Sequence, residues 1–221
     1  MQAIRKGRSA KCPFCDAGCL DSSKVWYDQS LLSTPHFTVL PSVGALVPGW
    51  TLVAPKKHFL SMGAIPRQYR LELKDLLGRV TSILQHGFGK TVQFEHGPAT
   101  HKSQIGCGLD HAHIHVVPID FDLIGAAKSD SAIVWSDFGS GLHEIPKQRD
   151  DYLAIADHAS SLIGYPNRPI SQYFRKLIAI RLGIPDQFDY TKFGHFENVR
   201  ITAQVVSKLA QLEHQARGQV A

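Results

Sequence analysis

A stretch near the middle of the chain alternates histidine with small or aliphatic residues, from His111 to Val117. In a β-strand the side chains at positions i, i+2 and i+4 share one face, roughly 7 Å apart along it. The spacing therefore predicts a strand, ended by Pro118, that presents His111, His113 and His115 on one face and buries its other face. Three imidazoles on one face are costly as packing alone, because each ring needs hydrogen-bond partners. A functional site is the favoured interpretation; a solvated histidine-rich face and a metal site are the alternatives.

Composition and charge narrow the class of protein. The chain has 221 residues, of which 43% are hydrophobic, and this is enough for a substantial core. The formal net charge of +5 suits anionic ligands such as nucleotides without requiring nucleic acid. The basic N-terminus is followed by no apolar run before Cys12, and no stretch approaches the ~20 apolar residues of a membrane span. We therefore expect a cytoplasmic protein with no membrane partner.

The apolar periodicity changes along the first half of the chain. Short β-like runs come first, at Val25–Tyr27, Phe37–Leu40 and Trp50–Ala54. Helical spacing follows from Pro66 to about His86, and Gly87 and Gly89 end the predicted helix. A further strand over Thr91–Glu95 precedes the histidine strand. This order predicts an α+β fold whose helices are segregated from the sheet.

The second half of the chain has a different character. After Phe121 a stretch of small residues leads into helix candidates separated by prolines. The candidates are Asp150–Ile163, Ser171–Leu182 and Asn198–Leu212. We therefore divide the chain into a domain over residues 1–122, which carries the histidine strand, and a mainly helical extension over residues 123–221. The extension either packs on this core, which is the favoured interpretation, or forms a small helical subdomain.

Two motifs in this order resemble the histidine-triad (HIT) superfamily. The histidine strand matches its pattern of three histidines alternating with apolar residues, and the segment Trp50–His58, WTLVAPKKH, is similar to its HxLVxPKxH block. The resemblance covers the chain from about Cys12 to Pro118. It implies a HIT-like antiparallel sheet with helices packed against it, and a nucleotide as substrate and partner.

The resemblance also implies how the triad divides the work. His113 would attack the α-phosphorus of a nucleotide to form a covalent nucleotidyl-histidine, which water then hydrolyses. His115 would hydrogen-bond a phosphate oxygen or the leaving group. Gly106, Cys107 and Gly108 would line the phosphate, because the glycines let backbone N–H groups approach closely. Transferase branches of the superfamily commonly carry glutamine at the third position, so His115 favours hydrolysis of a dinucleoside polyphosphate or another nucleotide conjugate.

A zinc site is the second implication. The Cys12-x-x-Cys15 motif alone supports zinc and chance about equally. Zinc-bearing members of the superfamily complete the site with the histidine that ends the PKxH segment and with the first triad histidine. The implied ligands are Cys12, Cys15, His58 and His111, a closed Cys₂His₂ set and therefore structural. The alternatives are free thiols, or Cys19 competing as a ligand.

The chain departs from the family pattern around the triad. Trp50 stands where many relatives place a histidine that helps the triad, and we interpret it as core or as an aromatic wall for the substrate. Glu95, near the family's asparagine, either orients a triad imidazole or ends its strand at the surface. Both are substrate-binding candidates. His96 either reaches a polyphosphate tail or lies at the surface. Cys107 and Gly108 occupy the family's frequent glutamine and serine positions, so a hydroxyl that assists leaving-group protonation is missing.

Three other functions remain open from the sequence. One is a nucleotidyltransferase or phosphorylase of the same superfamily. The second is a non-catalytic, zinc-stabilised module that binds nucleotides or a nucleic-acid end; the basic and aromatic segment from Arg168 to Arg175 is compatible with it, although a solvated basic helix face is preferred. The third is a zinc hydrolase with all three triad histidines as ligands. Small relatives pair their sheets, so the resemblance also implies a homodimer.

Overall fold

A computed structural model of the chain describes residues 12, 14–15, 26–106, 108–139, 141–168 and 170–218. Eight strands are present in this part of the chain: β1 Leu32–Ser33, β2 Phe37–Pro41, β3 Thr51–Pro55, β4 Thr91–Gly97, β5 Ile114–Pro118, β6 Ile133–Asp137, β7 Tyr152–Ala156 and β8 Ser161–Pro166. Its four α-helices are α1 Arg70–Phe88, α2 Leu123–Lys128, α3 Tyr173–Arg181 and α4 Phe196–Gly218. None of these described helices is both long and apolar enough to cross a membrane.

All eight strands form one antiparallel sheet in the order β1-β2-β3-β5-β4-β7-β8-β6. The histidine strand β5 lies between β3 and β4, and its register sets His115 opposite Leu52 on one side and Phe94 on the other. Opposite residues of an antiparallel pair share a face, so these three side chains lie together. The α+β fold with an antiparallel sheet and helices is confirmed, including a C-terminal helix.

Each face of the sheet carries its own hydrophobic core. The first contains Trp50, Phe94 and, from α3, Phe174. The second contains Ile114 and Val116 of β5, the apolar stripe of α1 and residues of α4. Helix α1 forms where its buried positions recur at helical spacing, and it ends at Gly89, whose φ of 98° is unfavourable for other residues. We call the two sides the triad face and the α1 face.

Two predicted elements are wrong. Asp150–Ile163 is not a helix but the hairpin of β7 and β8, turned by Asp157, whose carboxylate accepts hydrogen bonds from the backbone N–H groups of Ala159 and Ser160. Both faces of β7 are buried, so its sequence is continuously apolar and shows no strand alternation. The run at Val25–Tyr27 is not a strand: Trp26–Asp28 is a 3₁₀ turn, and Val25 lies outside the described residues.

The extension therefore supplies strands as well as helices. Strand β7 pairs with β4, so the sheet is continuous across residue 122. Helices α3 and α4 contribute buried residues to the two cores. The predicted helices over Ser171–Leu182 and Asn198–Leu212 are confirmed as α3 and α4. The division of the chain into two domains at residue 122 stays a prediction.

Candidate active site and metal centre

The three triad imidazoles lie together and are all buried. His115 belongs to β5, while His111 and His113 lie just before its first paired residue, Ile114. The His113 and His115 ring centroids are 4.8 Å apart. Ala112, Ile114 and Val116 belong to the core of the α1 face. The structure thus reproduces the predicted alternation of faces, although the paired strand starts at Ile114 and not at His111.

Burial keeps the triad rings neutral. It lowers the pKa of His113, and it lowers that of His111 to about 4, where the Pro55 carbonyl opposes the shift and the neighbouring His58 adds to it. Burial also lowers the pKa of His115 well below its usual value, with further contributions from His113, His96 and Arg175. These rings carry free nitrogen lone pairs at neutral pH, as nucleophiles and metal ligands require.

Each triad histidine has one ring nitrogen fixed by a specific partner. Nε2 of His111 lies 2.7 Å from the Pro55 carbonyl oxygen, and Nδ1 of His113 lies 2.8 Å from the carbonyl oxygen of His111. A carbonyl oxygen only accepts, so these two nitrogens carry the ring protons. The indole Nε1–H of Trp50 donates to Nδ1 of His115 over 2.9 Å. The nitrogens with free lone pairs are therefore Nδ1 of His111 and Nε2 of His113, whereas in His115 the ring proton is on Nε2.

The predicted zinc ligands come together in the structure. Cys12, Cys15, His58 and His111 place their ligand atoms within 4.8 Å of one another. Nδ1 of His111 lies 3.2 Å from Sγ of Cys12 and 3.6 Å from Sγ of Cys15, and Nδ1 of His58 lies 3.4 Å from Sγ of Cys15. Zinc bonds of ~2.3 Å to sulfur and ~2.0 Å to nitrogen at a tetrahedral angle give S···N separations of ~3.5 Å. These donors fit a tetrahedral zinc ion.

The second coordination layer supports the same conclusion. The Pro55 carbonyl holds the proton of His111 on Nε2, which leaves Nδ1 directed at the cysteine sulfurs. A histidine ligand whose other nitrogen donates to a fixed acceptor is the usual arrangement in zinc proteins. The aromatic ring of Phe14, between the two cysteines, contacts both His111 and His113 edge-on with centroids 5.4 Å away. The metal centre thus adjoins the proposed nucleophile.

Trp50 is core, and it also touches the triad. The side chain is buried, packs edge-on against Phe94 and donates its N–H to His115. Above its ring lies the guanidinium carbon of Arg175, 4.9 Å from the ring centroid. Trp50 therefore supplies a hydrogen bond to the triad at the position where the resembled family places a histidine.

Glu95 does not reach the triad, and its assignment as a substrate-binding residue is corrected. The carboxylate is buried on the α1 face, where it accepts hydrogen bonds from the Met62 backbone N–H and the Tyr152 hydroxyl, each over 2.6 Å. Burial raises its pKa to about 7, against these two hydrogen bonds. The reason is strand alternation: Phe94 and His96 of β4 take the triad face, so Glu95 between them takes the other.

His96 and Arg175 are the residues near the triad whose position the sequence did not reveal. The His96 ring is buried 6.0 Å from that of His115, and burial, with His113 and Arg175 nearby, lowers its pKa to about 3. Continuing the period-two pattern of β4 by one residue would have placed it there. Arg175 is buried and donates to the carbonyl oxygens of Phe188 and Gly44, so it does not belong to a solvated basic face.

The loop before the triad is held by the extension. Gly108 has φ of 78°, a left-handed conformation that favours glycine. The Ser171 hydroxyl donates to the Gly106 carbonyl oxygen over 3.2 Å. Cys107 lies outside the described residues. Gly106 and Gly108 stay substrate-binding predictions.

Comparison with known proteins finds similarity among solved structures only. No protein-family model and no curated protein matches the chain. One similar structure is a hypothetical histidine triad nucleotide-binding protein from Sulfolobus tokodaii strain7 (15% identity, TM-score 0.42, 90% of this chain and 93% of that chain). Others are yeast Ap4A phosphorylase Apa2 (12%, TM-score 0.41, 74% and 72%) and a Hit-like protein involved in cell-cycle regulation from Bartonella henselae (14%, TM-score 0.35, 40% and 67%).

The resemblance to the histidine-triad superfamily rests on features of this chain itself. They are the triad strand with its three neutral imidazoles, the WTLVAPKKH segment on β3, and the Cys₂His₂ cluster that joins the two. Together they are what this chain shares with the histidine-triad pattern.

Proposed function

We propose that this protein is a nucleotide hydrolase that cleaves a phosphoanhydride or phosphoramidate bond at the α-phosphate through a covalent nucleotidyl-histidine on His113. The hydrogen bond from Nδ1 of His113 to the His111 carbonyl oxygen, 2.8 Å long, carries this proposal. Since the carbonyl holds the ring proton on Nδ1, the lone pair on Nε2 is free to attack. A buried imidazole fixed in this tautomer is a ready nucleophile that needs no separate base.

The reaction proceeds in two displacements. In the first, the Nε2 lone pair of His113 forms a bond to the α-phosphorus, and the bond to the leaving group breaks with its electron pair on the departing atom. In the second, water attacks the phosphorus, loses a proton to solvent, and the P–N bond breaks to restore the Nε2 lone pair. His115, whose ring centroid lies 4.8 Å from that of His113, would stabilise charge on the phosphate oxygens.

Zinc would be held by Cys12, Cys15, His58 and His111 in a structural role. Four protein ligands leave no open position, so bound zinc supplies orientation and not Lewis-acid chemistry. Zinc binding would thereby anchor His111, whose carbonyl oxygen fixes the His113 tautomer. A homodimer stays a prediction.

The test is formation of a nucleotidyl adduct. The protein is incubated with a panel of diadenosine polyphosphates and AMP conjugates, and its intact mass is measured during turnover. We expect an acid-labile gain of one nucleotidyl group in the native protein. His113→Asn keeps a side-chain N–H for the His111 carbonyl but removes the nucleophile, so adduct and turnover should fall by about 10³-fold or more.

His86→Asn is the matched control, because His86 is an exposed histidine on α1. It should leave adduct formation unchanged. Nucleotide binding without adduct or turnover in the native protein would contradict the enzyme and favour a binding module. Rapid turnover only when phosphate or another acceptor is added would identify a transferase or phosphorylase.

A further inference from the structure

The two ring nitrogens of His115 have different environments. Its Nδ1 accepts the indole N–H of Trp50 over 2.9 Å. An indole N–H can donate but never accept, so Nδ1 must carry a lone pair. A charged imidazolium would set N–H against N–H at this contact. The geometry therefore fixes a neutral ring with its single proton on Nε2.

The other nitrogen has no partner in the described part of the chain. Nε2 of His115 is fully buried, and no described residue hydrogen-bonds to it. Leaving a buried N–H unpaired is costly, so such a group in a native site is best explained by a ligand that pairs it. The neighbouring ring is that of His113, the proposed nucleophile, with centroids 4.8 Å apart. A phosphate oxygen bound beside His113 would supply the acceptor that this Nε2–H lacks.

Trp50 is itself held rigidly. Its ring packs edge-on against Phe94, centroids 5.8 Å apart, and the guanidinium carbon of Arg175 lies 4.9 Å from its centroid on the face. Arg175 is fixed in turn by the carbonyl oxygens of Phe188 and Gly44. A cation over the indole face is an attractive contact of its own. Helix α3, which carries Arg175, thereby holds Trp50 in place, and Trp50 is the hydrogen-bond donor to His115.

We propose that Trp50 is a positioning residue that locks His115 as a hydrogen-bond donor unable to serve as a proton donor, and that the site therefore prefers substrates whose leaving group departs as an oxyanion. This inference rests on the proposed function of His113. A neutral imidazole that gave up its Nε2 proton would become an imidazolate, which a buried apolar site disfavours. His115 can therefore stabilise phosphate charge but cannot protonate a departing group.

The consequence is a substrate class. In a phosphoanhydride, the electron pair of the broken P–O bond stays on a phosphate oxygen, which is stable without a proton. In a phosphoramidate, the electron pair of the broken P–N bond stays on an amine nitrogen, which must take up a proton. Attack by Nε2 of His113 releases no proton for that purpose, because its ring proton sits on Nδ1. Gly108, which lacks a side-chain hydroxyl, offers none either. The favoured substrates are dinucleoside polyphosphates.

Two measurements test the proposal. In the ¹⁵N-histidine-labelled, zinc-loaded protein, two-bond ¹H–¹⁵N spectra report which ring nitrogen of His115 is protonated, and the signal is assigned with His115→Gln. We expect the proton on Nε2. Independently, kcat/KM is compared for diadenosine tetraphosphate and an alkyl phosphoramidate of AMP. We expect at least about 100-fold preference for the anhydride.

Substitutions distinguish a positioning role of Trp50 from a role in packing alone. Trp50→Phe removes the N–H but keeps an aromatic ring; it should mix the two His115 tautomers and lower anhydride cleavage about tenfold or more. Trp135→Phe is the matched control, since its indole N–H donates to the Ala127 carbonyl oxygen and its ring packs near Phe174 of the same core. It should change neither readout. Trp50→His, which can accept as well as donate, should raise phosphoramidate cleavage relative to anhydride cleavage.

The results that overturn the proposal are distinct from failure of the proposed function. A native His115 protonated on Nδ1 overturns it, and so does equal cleavage of the two substrates. Trp50→Phe behaving like Trp135→Phe also overturns it. The tautomer spectrum requires no turnover, so it decides the role of Trp50 even if Trp50→Phe fails to fold or if no adduct forms on His113.

Discussion

The two faces of the central sheet both bury polar side chains, but the hydrogen bonding of Glu95 on one face differs from that of His115 on the other. On the α1 face, Glu95 accepts from Met62 and Tyr152, and the Tyr152 hydroxyl oxygen accepts the Gly63 backbone N–H over 3.2 Å. Each carboxylate oxygen there has a partner. On the triad face, His115 is paired at Nδ1 but has no described partner at Nε2.

For Glu95 and His115, this difference separates a paired structural network from a candidate ligand contact. A buried polar group with all its partners holds neighbouring elements in register, and it gains nothing from a ligand. A buried N–H that lacks a partner pays its desolvation cost until a ligand supplies an acceptor. Changes on the α1 face should therefore alter stability alone, whereas changes on the triad face should also alter chemistry or metal content.

The largest effect is expected at the cluster of predicted zinc ligands, Cys12, Cys15, His58 and His111. Cys12→Ser/Cys15→Ser removes both thiolates, so bound zinc should fall from about one per chain to near zero. The thermal midpoint should drop by roughly 10 °C, corresponding to about 4 kcal/mol at ~2–4 °C per kcal/mol. Metal content is measured by elemental mass spectrometry and unfolding by calorimetry.

His101→Asn is the control for this comparison. The His101 ring lies near His58, with centroids 6.1 Å apart, but His101 is outside the four-ligand cluster. It should keep the zinc and the midpoint. Full zinc content in the double cysteine variant would break the comparison, because the metal would then be held by the triad histidines themselves.

The triad face was partly predictable from the sequence. Period-two alternation places His111, His113 and His115 on one side whatever the rest of the fold, and the structure agrees. The family resemblance added the four metal ligands, which the structure brings within reach of one another. Neither source predicted the Trp50 hydrogen bond, because it depends on the register between β3 and β5, which long-range pairing sets.

The α1 face was predicted less well for a related reason. Glu95 is a substrate-binding candidate in the sequence because it stands near the family's asparagine. The pairing of Phe94 with His115, which decides which way Glu95 points, is not visible there. Its partner Tyr152 lies on β7, which was predicted as helix because a strand buried on both faces reads as an apolar run. Local patterns determine which face a residue takes within its strand, but not what covers that face.

The next effect in size concerns the protonation of Glu95. Burial raises its pKa from 4.5 to about 7, so between these values the folded state binds more protons than the unfolded state. Stability therefore falls as pH rises from about 4.5 to about 7, then levels off; the total is on the order of 3 kcal/mol at ~1.4 kcal/mol per unit. Tyr152 stays neutral over this range, because burial raises its pKa well above 10.

Glu95→Gln removes this titration. The free energy of unfolding of the variant, measured by urea denaturation at several pH values, should rise relative to the native protein by about 3 kcal/mol between pH 5 and pH 8. Glu72→Gln is a control of opposite sign. Burial raises the pKa of Glu72, but hydrogen bonds from Thr34 and His36 outweigh it and lower the pKa overall, so native stability is lost as pH falls. A constant difference for Glu95→Gln would show that Glu95 ionises freely in the folded state.

The smallest expected effect, at Tyr152, is the most direct test of the difference between the two faces. Tyr152→Phe removes the hydroxyl that donates to Glu95 and accepts from Gly63, so it should cost about 1–3 kcal/mol in urea denaturation. Tyr165→Phe is the matched control: its exposed hydroxyl donates to Gln148, and its loss should cost less than about 0.5 kcal/mol. Because Tyr152 lies on the α1 face, the rate of nucleotidyl transfer to His113 should not change in either variant. A slower transfer in Tyr152→Phe alone would mean that the two faces are coupled through β4, and that pairing of every polar atom does not by itself mark a network as purely structural.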